Sequence, residues 1–89
     1  MDHSATNHAL FERFPTLYFI GMQDNIVTMK ISDNEVGFPA FTTRADAELA
    51  VASYSPSMRM HVLEKTEAQF TAIHQSPCPR IVFPRLKTT

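Results

Sequence analysis

Apolar and polar positions alternate most plainly in IVTMKI, residues 26–31, where Val27, Met29 and Ile31 fall on one side of an extended chain and Thr28 and Lys30 on the other. The preceding LYFIGM, residues 17–22, is rich in aromatic and branched residues and reads as a strand. The QDN between them is a turn, so the two runs predict a hairpin. SDNE, residues 32–35, is a second polar turn, and VGFPAF, residues 36–41, is a third strand. Pro39 has no N–H to give to a ladder, so this strand is expected at a sheet edge, or bulged at that point. MRMHVL, residues 58–63, alternates again, with Met58, Met60 and Val62 pointing one way and Arg59 and His61 the other. RIVF, residues 80–83, is a last strand whose pairing Pro84 limits, so it too is expected as an open edge. The neighbours of Met22, Met29, Met58 and Met60 are largely polar, so these methionines are read as core filler rather than as an adaptable binding face.

Helix signals fall between these runs. Ser4 is expected to cap a helix through Phe14, with Leu10, Phe11 and Phe14 facing the core and Pro15 just beyond its end. His8 and Glu12 are four apart on its outer side. Thr43 and Asp46 have the spacing of a capping box, and Asp46 and Glu48 lie where the helix dipole favours negative charge. This second helix should run to about Tyr54, with Ala45, Leu49 and Ala52 as its apolar line and Val51 beside it. Thr66 and Gln69 form another capping box, opening a helix to about Gln75 that Phe70 and Ile73 anchor. The order helix, three strands, helix, strand, helix, strand predicts the α+β class. The expected architecture is a two-layer domain, a mixed and mostly antiparallel sheet of about five strands with two or three helices on one face. One domain spans residues 1–89, with 1–5 and 86–89 frayed. The first three strands favour an antiparallel meander, and the later strand–helix–strand unit a parallel crossover.

Through LYFIGM, the short hairpin and GFPAFTTRADAELA, the first 55 or so residues resemble the SseB-like family, named for enhanced serine sensitivity. Phe41, Thr42 and Thr43 match that family's Phe-Thr-Ser/Thr step from strand to helix. The resemblance implies an α+β fold and a non-catalytic role, and it carries no catalytic residues to this chain.

Composition narrows the function classes. Eight basic and nine acidic residues give a formal charge of −1, so no strong field recruits nucleic acid or an anionic membrane. A 44% hydrophobic chain with seven Phe is a folded globule. The lone Cys78 rules out an internal disulfide and suits a reducing compartment. The chain does not open on a basic stretch followed by an apolar run, and no apolar run approaches the roughly 18–20 residues of a membrane span. A cytoplasmic protein is therefore expected.

Little in the sequence assembles into chemistry. His61 and His74 lack ligand spacing, and four ligands or so are needed for a closed zinc site. Cys78, between Pro77 and Pro79, has His74 and Arg80 near in sequence but no assembled triad. The acidic residues sit in turns or at a helix start, where they serve local hydrogen bonds. Only Gly21 and Gly37 are present, which excludes a glycine-rich phosphate cradle. Neither enzymatic activity nor a cofactor or metal is expected. The expected role is a small protein-binding or assembly module that binds a protein partner or a second copy of itself, or else a compact inhibitor or immunity-type protein from a mobile element. The candidate interaction surface is Arg44, Arg59, His61, Arg80 and Arg85.

Overall fold

The computed structural model describes residues 3–23, 25–54, 56–73 and 79–84. In chain order the elements are α1 (Ser4–Arg13), β1 (Thr16–Met22), β2 (Asn25–Ile26), β3 (Met29–Ser32), β4 (Glu35–Phe41), α2 (Arg44–Ala52), β5 (Met60–Thr66), α3 (Glu67–Ile73) and β6 (Arg80–Val82), with a 3-10 turn over Pro56–Met58 before β5. The α+β class and the mixed, mostly antiparallel sheet are as the sequence predicts, with six strands. His74, Cys78 and Arg85, and the expected end of the third helix at Gln75, lie outside the described residues.

β1 is the centre of the sheet. Tyr18 and Phe19 pair with Phe41 and Ala40 of β4, while all seven residues pair with β5 on the opposite side. Gly21 and Met22 pair with Ile26 and Asn25, which closes the first hairpin. The alternating run 26–31 does not continue as one strand. The N–H of Val27 donates to Ile20, the chain breaks pairing over Val27 and Thr28, and β3 then pairs with the first half of β4. All four residues of β3 are exposed, so Met29 and Ile31 stay outside the core. β6 runs parallel to β4, Phe38 opposite Ile81. The strand–helix–strand unit does join strands of like direction, but β5 reaches β6 only through β1 and β4.

Pro39 is buried inside β4 with Val82 at its side, not at an edge. Its tolerance has a local cause. β3 covers β4 as far as Gly37, β1 takes over at Ala40, and Pro39 occupies the step between them, where no N–H is called for.

The sheet buries both faces, which differs from the single covered face expected. Leu17, Phe19, Phe38, Ala40 and Ile81 form one core with Phe11 of α1 and Phe70 of α3. Residues one step along each strand point the opposite way. There Ile20 and Phe41 meet Ala47 and Ala50 of α2, flanked by Tyr18, Met60 and Val62. The α2 face therefore differs from the Ala45–Leu49–Ala52 line. Those three are exposed, Leu49 by 63%, and two alanines let the helix lie close on a sheet that supplies the bulk. In α3 Phe70 is buried as expected, but Ile73 is 52% exposed. Phe11, Phe19 and Phe38 already surround the Phe70 ring, with centroids 5.8, 5.3 and 5.4 Å away.

Candidate interaction surface

The five candidate residues do not form one patch. Arg44 opens α2 and is held within the molecule. Its guanidinium is 3.1 Å from the Glu64 carboxylate on β5 and lies 5.5 Å over the Tyr18 ring. Arg80, at the start of β6, faces Glu35 at 3.9 Å. Its place opposite Gly37 of β4 separates it from β5. Arg59 and His61 do belong together, at the start of β5, and both are exposed. His61 pairs across the sheet with Gly21. A Cβ on Gly21 would lie 2.8 Å from His61 Nε2 and 2.6 Å from Leu63 Cδ1, so the missing side chain makes room for both. Arg59 has φ 54°, a left-handed conformation that few residues other than glycine adopt. It follows the 3-10 turn, with its N–H donating to the Pro56 carbonyl at 3.1 Å.

The surface the sequence did not reveal is the outer edge of β5. Backbone groups alternate sides along a strand. The Ile20 carbonyl points to the β2 side, where it accepts from Val27. Leu17, Phe19 and Gly21 therefore turn their backbone groups toward Lys65, Leu63 and His61. The N–H and C=O of Met60, Val62 and Glu64 consequently point away from β1, and no described strand takes them up. Thr66, next in the same series, gives its N–H to Gln69 Oε1 at 2.9 Å. Sequence reasoning looked for proline and placed the open edge at the Pro39 and Pro84 strands; β6, ahead of Pro84, is an edge paired with β4 alone among the described strands, its Ile81 N–H taken by Asn7, whereas Pro39 is interior and β5 has no proline.

The methionines come to the surface beside this edge. Met22 and Met60 are paired across β1 and β5, Met60 is half-buried, and Met22 and Met58 are exposed. Met60 packs against the α2-face core as expected, but Met22 and Met58 are not the core filler expected, because that face is filled from the helix side by alanines and from the sheet by Ile20, Phe41 and Val62. The chain therefore presents exposed thioethers next to unpaired backbone groups, an adaptable apolar margin on a hydrogen-bonding edge.

Two concave sites lined by described residues are slight. A shallow cleft of about 210 Å³ lies between Phe41, Thr42, Asp46, Phe83 and Pro84. A second, of about 20 Å³, sits where α1 meets α3. Both fall below the roughly 300 Å³ at which small-molecule pockets begin. Among the described residues no three His, Cys, Asp or Glu side chains converge as metal ligands, and no helix is long and apolar enough to cross a membrane. Comparison with known protein families, curated proteins and solved structures finds no match to this chain.

Proposed function

We propose that this chain is a small non-catalytic protein-binding or assembly module that docks a strand of its partner along β5. The observation that carries this is the β5 edge, bonded to β1 along all seven residues and left by every other described strand with outward groups at Met60, Val62 and Glu64. Such an edge adds a strand from another chain, the backbone supplying affinity and flanking side chains supplying selectivity. Met22 and Met58 offer apolar contact at one end, and Arg44, Glu64 and His61 offer polar contact along it. Kinship with the SseB-like family, suggested by Phe41, Thr42 and Thr43, accords with a non-catalytic role. The test is affinity capture from the native host with the wild-type chain and with Val62→Pro, after circular dichroism has shown that the variant folds. A bound protein, whether a host protein or untagged copies of the chain, should appear with the wild type and be lost with the variant. Equal recovery by both chains, or none by either, refutes the reading.

A further inference from the structure

We infer that the strand β5 takes from its partner is acidic on one face and apolar on the other, with carboxylates beside Lys65 at one end and Arg59 at the other. This rests on the reading of β5 as a docking edge. Directly opposed residues of paired strands project to the same face, their Cβ atoms about 4.5–5.5 Å apart, so the side chains of β5 set what its neighbour needs. Met60 and Val62 pack with α2, while Leu63 packs with the core under α1 and α3. By alternation His61 and Lys65 share the Leu63 face, and Glu64 shares the other.

Unpaired charge distinguishes the two faces. On the α2 face Glu64 is bonded to Arg44, and Glu48, one turn of α2 beyond Arg44, is a further exposed carboxylate. An incoming acid gains nothing there. On the other face Glu67, the next acid after Lys65, is taken by His8. The cations are left. Among the described residues Lys30, Arg44 and Arg80 face carboxylates, and Arg13 lies over the Phe14 ring. Arg59 and Lys65 have neither kind of partner, and they stand at opposite ends of β5. Arg59 keeps that place in a left-handed conformation, φ 54°, which glycine adopts with less strain. The whole chain has a formal charge of −1, so bulk attraction does not draw an acid to this edge; the local arrangement does. A nucleic acid offers anions to the same cations but has no amide ladder for Met60, Val62 and Glu64, so the edge fits a peptide.

Pairing then specifies a pattern. One carboxylate lies opposite Lys65 and another opposite His61, diagonal to Arg59 and within reach of long side chains. Apolar residues lie opposite Leu63, Val62 and Met60, and an uncharged residue opposite Glu64.

Fluorescence anisotropy with the full chain and a capped, labelled hexapeptide tests this. Written to pair antiparallel with residues 60–65, the probe carries glutamate at its first and fifth positions, threonine at the second and valine at the rest. Its affinity should fall at least about tenfold when both glutamates become glutamine, and as far when they are moved to the second and fourth positions, on the α2 face. Lys65→Glu should invert the preference, taking a probe with lysine in place of glutamate more tightly than the original. Val62→Pro, folded by circular dichroism, should bind none of them. Equal binding of the glutamate and glutamine probes, both lost with Val62→Pro, overturns the acidic strand and leaves the docking edge standing. Glutamate-probe binding that survives Val62→Pro overturns both, since charge alone would then hold the peptide. Displacement of the bound probe by an equal concentration of oligodeoxythymidylate shows a general anion surface and overturns the acidic strand. Absence of binding by every probe up to about 1 mM overturns it too, and host capture that Val62→Pro abolishes would then still uphold the edge.

Discussion

Single side chains fix where the helices begin and how the last strand is held. Thr43 accepts from the Asp46 N–H at 3.2 Å and so caps α2, as the spacing in the sequence predicts. Thr43→Ala should lower stability by about 1 kcal/mol, read as a shift in the urea midpoint at unchanged slope. Thr66 and Gln69 cap α3 reciprocally, the N–H of each accepted by the side chain of the other. α1 has no such cap. Ser4 lies inside it, and His3, at the N-cap position, makes no side-chain capping bond. What holds α1 instead is Asn7, whose amide donates to the Pro79 carbonyl at 2.9 Å and accepts from the Ile81 N–H at 3.0 Å. Asn7 is the buried polar residue among the described residues, and it ties the first helix to a strand more than seventy residues away. Asn7→Ala removes the acceptor of the buried Ile81 N–H and a donor to the half-buried Pro79 carbonyl, and should cost about 2 kcal/mol, with β6 amides losing protection first. Nothing local distinguishes Asn7 in the sequence. Caps are legible because both partners lie within three residues, whereas this clamp exists only once the chain has closed.

Elements are where sequence and structure part. Strand and helix positions follow from periodicity, yet α2 is rotated from its apparent apolar line. Leu49 looks like a core residue by composition, but a helix lying close on a sheet buries its small side chains, here Ala47 and Ala50. Leu49→Lys should therefore change stability by less than about 0.5 kcal/mol, whereas Ala47→Lys should leave little folded chain at the same temperature. An unfolded Leu49→Lys would refute the orientation. Charge adds to the contact that Phe11 and Phe70 make between α1 and α3. The two ring nitrogens of His8 reach Glu67 at 2.5 Å and Glu12 at 2.7 Å, and only the imidazolium can donate to both. The hydrogen bond to Glu67 raises the His8 pKa above its ordinary 6.5, the charge of that carboxylate adds to it, and Glu12 contributes less. The folded value lies above the unfolded one, so the contribution is complete below pH 6.5 and is lost as pH rises through the raised value. The gap in thermal midpoint between wild type and His8→Gln should narrow as pH rises above 6.5. A gap that does not change with pH would show that the bridge contributes nothing.

At the scale of the whole molecule, one sheet serves two cores, and β1 belongs to both. Leu17 and Phe19 face α1 and α3, while Tyr18 and Ile20 face α2. Continuous apolar character in LYFIGM is the sequence sign of such a strand, since burial on both faces erases alternation. The layer count was not legible because it depends on which way β4 and β5 turn their odd positions, which pairing register decides. Because β1 is common, the two cores should melt together. Phe70 permits a test with a known scale. It is fully buried between Phe11, Phe19 and Phe38, and its loss to alanine should cost about 3–5 kcal/mol. A chain of 89 residues has a total stability of about 4–13 kcal/mol, so Phe70→Ala removes a large share of it. Tyr18 packs on the opposite core and reports on the side that the substitution does not touch. Its near-ultraviolet signal should lose its urea midpoint in step with the far-ultraviolet helix signal. A Tyr18 transition that stays at the wild-type midpoint while helix signal is lost early would mean that the faces fold independently and that β1 does not couple them.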